Sequence, residues 1–211
     1  MSAPDEVERF WEGFYAERRA VWSGRPNPLL VEVVRDLDRP APGTALDLGC
    51  GEGGDAVWLA GLGWEVTAVD VSATALARVT AAAAEAGVGE RVRVERHDLA
   101  RTSPAGRFDL VAACYLQSPV ELPREQVLRA AAAAVAPGGV LVVVEHASGP
   151  SWSGGHAHVV FPTAQQTREC LGLEPAAWDV ERCDTPVREV TSPQGEAGTA
   201  SDNVVVVRRR A

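Results

Sequence analysis

The densest chemical signal in the chain is the stretch Ala45-Leu-Asp-Leu-Gly-Cys-Gly-Glu-Gly-Gly54. Its apolar start reads as a strand ending at Leu48, glycines 49, 51 and 53 read as a tight turn around Cys50, and a helix is expected from about Gly54. Glycine suits such a turn because a side chain would block a ligand's approach to the backbone. The helix N-terminus behind it offers free N–H groups and the positive end of a dipole. Gly49, Gly51 and Gly54 also satisfy GxGxxG, which by itself fits a dinucleotide. Three acids narrow the choice. Asp70 ends the next apolar run, 19 residues beyond Gly51, where a carboxylate accepts hydrogen bonds from both ribose hydroxyls. Asp98 ends the third run, Val92–Asp98, beside the place an adenine ring would occupy. Asp47 lies inside the first strand, and a carboxylate there repels a pyrophosphate but suits a ligand bearing an ammonium and a sulfonium.

Histidine is the other source of chemistry. Glu145-His146 ends a fifth strand at the carboxyl edge of the sheet, where open α/β sheets bind ligands, so His146 reads either as a general base or substrate contact or as a surface turn residue. His156-Ala-His158 resembles a metal pair, but no nearby Cys or carboxylate completes a ligand set; no metal is expected, and His156 reads as a loop contact near the mouth of the site.

These residues need a scaffold. Val7, Phe10, Trp11, Phe14 and Tyr15 recur at helical spacing over residues 5–21, a Pro/Gly-rich loop spans 22–28, and Leu29–Leu37 reads as a second helix. From Thr44, apolar runs at 44–49, 64–70, 91–96, 107–113 and 139–145 alternate with helical stretches at 54–61, 73–86, 123–136 and 163–171. Trp178–Cys183 and Asn203–Arg209 then read as two strands joined by a polar loop without a helix, which implies an antiparallel final pair. The expectation is an α/β, doubly wound, mostly parallel seven-stranded sheet with an antiparallel last strand and helices on both faces. Residues 1–40 form an N-terminal helical segment and 41–211 the main domain.

Composition excludes several classes. All 20 basic residues are Arg, so there is no P-loop lysine, no Schiff-base lysine and no Tyr/Lys reductase pair. A net charge of -9 argues against a nucleic-acid partner. No run of about 18 apolar residues is present, so no membrane partner is expected. An acidic, polar start is wrong for a signal peptide, and four Cys without metal spacing point to a reducing compartment, read as cytoplasmic.

Taken together, Leu46-Asp-Leu-Gly-Cys-Gly-Glu-Gly53, Val69-Asp-Val-Ser72, His97-Asp-Leu99, Phe108-Asp-Leu-Val111 and Ala136-Pro-Gly-Gly-Val140 resemble the class I S-adenosylmethionine (SAM)-dependent methyltransferases. The overall look is similar to the small-molecule branch with tellurite-resistance-type and thiopurine-type enzymes. The resemblance implies a Rossmann-like methyltransferase fold with SAM as cofactor. It places Gly49, Cys50 and Gly51 at the methionine part with Asp47 nearby, Asp70 on the ribose, Val71 under the adenine, Asp98 and the Leu99 amide on the adenine edge, and the Cys114 carbonyl toward the ammonium. Asp109 is expected to position its strand. Residues 1–40 would fold over the cofactor as a lid, with Tyr15 and Trp22 walling a substrate pocket and Tyr115 opposite, a catalytic candidate beside His146. Arg25 and Arg188 would meet an anionic acceptor. The implied function is in-line methyl transfer to an S, O, N or chalcogen atom of a small molecule by a monomer or homodimer. A non-catalytic SAM-binding regulator and an NAD(P)-dependent oxidoreductase are the alternatives.

Overall fold

The computed structural model describes residues 6–38, 41–152, 161–192 and 194–211. Among these residues eight strands, β1 (Thr44–Leu48), β2 (Glu65–Asp70), β3 (Val92–Arg96), β4 (Phe108–Cys114), β5 (Val135–His146), β6 (Trp178–Asp184), β7 (Val187–Thr191) and β8 (Ala197–Arg209), lie in one sheet. The main path runs β3-β2-β1-β4-β5-β8-β6, with β1 to β5 mutually parallel and β8 antiparallel to both β5 and β6. The doubly wound, mostly parallel sheet with one reversed strand is thus present.

The eighth strand corrects the expected seven. The polar loop foreseen before the last strand contains β7, which pairs antiparallel with the first third of β8. Val187 and Val190 fall on opposite faces of β7, so it lacks the alternating apolar pattern that marks a half-buried strand. What holds it is the length of β8, which extends past the end of β5.

The six α-helices among the described residues are α1 (Glu6–Ala16), α2 (Pro28–Asp36), α3 (Gly54–Gly61), α4 (Ala73–Glu85), α5 (Arg124–Ala133) and α6 (Ala164–Cys170). Local chemistry sets their starts. Asn27 caps α2 with Pro28 in its first turn, Ser72 caps α4, and Thr163 with Gln166 forms a capping box on α6. Helix α3 follows Gly53 in the left-handed conformation with no side-chain cap from that residue, and its Ala56 N–H is taken by Asp47 instead. Helix α1 stops at Ala16, short of the expected 21, because the Arg78 guanidinium takes the carbonyls of Tyr15 (2.8 Å) and Arg18 (2.5 Å) and turns the chain.

Each central strand is buried on both sides. Val140, Val142 and Val144 pack with α2, α3 and α4, while Leu141 and Val143 pack with α5 and α6. Full burial of one such side chain contributes about 1.5–3 kcal/mol, so this strand is the anchor that fixes where its carboxyl end, and His146, must lie. Asp109 ties β4 to β1 through the Thr44 N–H (2.8 Å) and hydroxyl (3.1 Å).

Candidate functional site

The glycine turn after β1 needs its glycines. Gly49 (φ +68°), Gly51 (φ +53°) and Gly53 (φ +84°) all hold left-handed backbone, and a Cβ on Gly51 would lie 3.0 Å from the Tyr15 hydroxyl. Behind the turn, the Asp70 carboxylate accepts the N–H of Gly51 (3.0 Å) and of Ser72 (2.9 Å). These two bonds fix both carboxylate oxygens and leave their other lone pairs facing the cavity.

Two more carboxylates stand next to it. Asp47 is buried within β1 and accepts the Ala56 N–H, and Asp55, in the first turn of α3, accepts the Asn27 N–H (2.5 Å) and the Cys114 thiol. Burial raises the pKa of all three acids, and mutual repulsion adds to the rise at Asp47. Among the described residues, no ion pair joins Asp47, Asp55 or Asp70 to a basic side chain. The same burial pushes the thiols of Cys50 and Cys114 well up, so both are neutral and neither is a nucleophile at ordinary pH. Asp55 was missed in the sequence because an acid in a helix's first turn reads as an ordinary complement to the dipole.

All three acids open onto a cavity of about 460 Å³, within the ~300–1,000 Å³ usual for small-molecule sites. It gathers the expected cofactor residues: Asp47, Gly49, Cys50 and Gly51 on the floor, Asp70, Val71, Asp98 and Leu99 at one end, and Cys114 toward the other. Asp98 lies two residues past the end of β3, where it both faces the cavity and accepts the Ala100 N–H (3.0 Å) as a turn cap. Tyr15, Trp22 and Arg25 contribute to the wall, joined by Trp11 and Leu116. His156 lies outside the described residues.

Arg188 is absent from this wall. Instead of standing free for an anion, it donates to the buried Asp202 carboxylate, because β7 carries it there. Tyr115 and His146 do reach the wall, with their rings stacked at 4.1 Å between centroids.

The N-terminal segment closes over the glycine turn through polar latches. Glu52 accepts the N–H groups of Val21 (3.0 Å) and Trp22 (2.7 Å) and pairs with Arg78 (2.6 Å). Glu12 accepts from Ser72 Oγ (2.7 Å) and Thr74 Oγ1 (2.5 Å) at the start of α4, and Glu8 pairs with Arg96. Burial alone would raise both Glu12 and Glu52, but these hydrogen bonds outweigh it and hold both below the usual range.

Known proteins share this arrangement. Residues 45–139 match the family described as "Methyltransferase domain". The ubiquinone biosynthesis O-methyltransferase of Xanthomonas axonopodis pv. citri is 33% identical over 115 residues, covering 54% of this chain and 48% of that protein. The chain thus spans about half the length of that curated relative. A structure from work on conversion of a disulfide bond into a thioacetal group during echinomycin biosynthesis superposes with a TM-score of 0.71 at 27% identity, over 97% of this chain and 93% of the other. The N-methyltransferase NodS from Bradyrhizobium japonicum, in complex with S-adenosyl-L-homocysteine, shares the fold at a TM-score of 0.68 and 19% identity, over 98% and 100% of the two chains. The family match begins inside β1 and ends inside β5, so it covers the strands that carry the glycine turn and Asp70, and over this stretch the chain is similar to S-adenosylmethionine-dependent methyltransferases.

Proposed function

We propose that the chain moves a methyl group from SAM to a small-molecule acceptor bound beneath its N-terminal segment. The observation that carries this reading is the trio of buried Asp47, half-buried Asp55 and buried Asp70, acids on one cavity wall that no described basic side chain neutralises. SAM fits them: its ammonium would face Asp47, Asp55 and the Cys114 carbonyl, its ribose diol would meet Asp70, and its adenine end would lie by Val71, Asp98 and Leu99. When bound, SAM supplies an activated methyl group on a sulfonium.

The chain's own residues bind, orient and exclude water. Bringing an acceptor into line removes much of the entropic barrier, an effect of ~7–11 kcal/mol in well-aligned systems. Tyr15 and Trp22, bridged by a hydrogen bond from the indole N–H to the phenol oxygen (3.2 Å), cover the glycine turn and with Arg25 form the acceptor side of the wall. Among the described residues no helix is long and apolar enough to cross a membrane. An acidic protein with four free thiols suits a cytoplasmic monomer or homodimer acting on small acceptors rather than on nucleic acid.

Calorimetric titration with SAM, S-adenosylhomocysteine and NADH tests the reading. SAM and S-adenosylhomocysteine are expected to bind and NADH is not. Asp70→Ala removes two charge-assisted hydrogen bonds to the ribose at ~1.5–3 kcal/mol each, so S-adenosylhomocysteine affinity falls by at least about 100-fold. Binding of NADH alone would refute the reading.

A further inference from the structure

A second constellation stands at the far end of the same cavity. Antiparallel pairing of β8 with β5 makes His146 and Asp202 direct cross-strand partners. The Asp202 side chain is fully buried, and three donors converge on it: His146 Nδ1 on Oδ1 (3.0 Å), and the Tyr115 hydroxyl (3.0 Å) and the Arg188 Nε–H on Oδ2. Burial would raise the Asp202 pKa, but the bonds from His146, Arg188 and Tyr115 outweigh it and hold the group low and ionised. An ionised carboxylate only accepts, so in the neutral form of the imidazole the proton sits on Nδ1 and the lone pair on Nε2.

The ring is also braced mechanically. Tyr115 stacks on it at an interplanar angle of 19°, from a left-handed backbone (φ +53°) that a bulky residue adopts only where its surroundings impose it. Gln117 clamps the His146 backbone from both sides, donating to its carbonyl (3.2 Å) and accepting its N–H (2.9 Å). The titratable and charged groups that face His146 are Asp202 on β8, Arg188 on β7 and Tyr115 after β4. Burial and the Asp202 charge push the Tyr115 phenol up, so it stays a proton donor.

We infer that His146 is the general base of the transfer, with Asp202 and Tyr115 as positioning residues, and that the acceptor is a neutral hydroxyl compound on an apolar or aromatic body. This rests on the methyl-transfer reading above. An acceptor that arrives as an anion needs no base, so a base in the wall acts only on a protonated one. An amine arrives as an ammonium, which the ionised Asp202 beside His146 favours in its protonated form. A neutral hydroxyl is the protic acceptor this wall admits, and the rings of Trp11, Tyr15 and Tyr115 suit an apolar body. In the step, the acceptor oxygen forms the new bond to the methyl carbon as its proton passes to His146 Nε2. The electron pair of the old carbon–sulfur bond stays on sulfur, and the imidazolium later returns its proton to water.

The test uses the full chain with two readouts. Nitrogen-15 histidine spectra, with the His146 signals identified through His146→Gln, are expected to show a protonated Nδ1 and a bare Nε2. Asp202→Asn reverses that pattern, because the amide N–H then donates to Nδ1. With SAM supplied, His146→Gln and Asp202→Asn lower methylation of phenol by about 10²- to 10⁴-fold. They change methylation of 4-nitrophenol, already ionised in mildly alkaline buffer, only a few-fold, and leave S-adenosylhomocysteine affinity intact. Equal losses on both phenols, an unaltered tautomer in Asp202→Asn, or wild-type turnover of thiophenolate but of neither phenol overturns the assignment. Wild-type turnover of none of the three acceptors with S-adenosylhomocysteine still bound overturns it too. Failure of wild type to bind S-adenosylhomocysteine instead defeats the methyl-transfer reading itself.

Discussion

Asp47→Asn should stabilise the unliganded protein and weaken its cofactor at the same time. The carboxylate receives the Ala56 N–H, which places it one residue from Asp55, and repulsion from Asp55 and Asp70 adds to the burial that raises its pKa. At a separation on the order of 6 Å and an effective dielectric near ~20, one such like-charge pair costs about 2–3 kcal/mol. Asparagine keeps the shape and an oxygen for the Ala56 N–H but removes the charge. Partial protonation of the trio softens the gain to ~1–2 kcal/mol, a rise of roughly 2–8 °C in Tm for a chain this size. The sign with pH follows from the raised folded-state value. The penalty is absent below the unfolded aspartate value near ~3.9 and grows as pH rises through the folded one, so the gain over wild type is larger at neutral than at acidic pH. The ligand's ammonium loses an attraction of similar size, so S-adenosylhomocysteine affinity falls about 30- to 150-fold. Differential scanning fluorimetry and calorimetry measure both effects. A lower Tm for Asp47→Asn in the absence of ligand, or an unchanged affinity, would show that the buried charge is not held for a cation.

Two further outcomes follow from named contacts. Glu52→Gln should release residues 17–24 from the glycine turn at neutral pH, seen as a change in Trp22 fluorescence. In wild type the lowered Glu52 pKa keeps this latch intact above the ordinary glutamate range near ~4.3 and loses it as pH falls through the folded value, so the same spectral change appears on acidification. Arg124→Met leaves the buried Glu145 carboxylate, now bonded at 2.6 and 2.5 Å by the guanidinium, without its counter-ion and should cost about 3–5 kcal/mol in urea unfolding; the double variant Arg124→Met/Glu145→Met recovers most of it.

The parts of the site legible in the sequence are those whose geometry is local. The glycine turn, the Ser72 cap and the acid closing β2 are set by a few adjacent residues, and each occupies the place its spacing implies. Asp202 is different. Nothing in Ala200-Ser-Asp-Asn203 marks it, because its role comes from the register of β8 against β5, a pairing 56 residues apart in sequence. Arg188 was misplaced for the same reason: as a loop residue it is a free cation, but on β7 it points at a buried carboxylate. The end of α1 likewise depends on Arg78 of α4, which no helical periodicity within residues 5–21 encodes.

The charge inventory gains a sharper meaning from these placements. A chain without lysine has only guanidinium groups to neutralise its 29 acids, and the structure spends several of them as planar forks on backbone carbonyls and carboxylates around the cleft. Arg78 and Arg96 hold the N-terminal segment, Arg124 holds the end of β5, and Arg188 holds Asp202. Among the described residues only Arg25 reaches the cavity wall, and it is exposed. Asp47, Asp55 and Asp70 are therefore left for a cation from outside, and their repulsion is relieved when it arrives. Because the segment above them is latched largely by hydrogen bonds and ion pairs rather than by a deep apolar face, with Tyr15 the one buried side chain of α1, its closure costs little to undo. On the methyl-transfer reading, the ligand's charge then contributes more to holding this segment down than its apolar packing does.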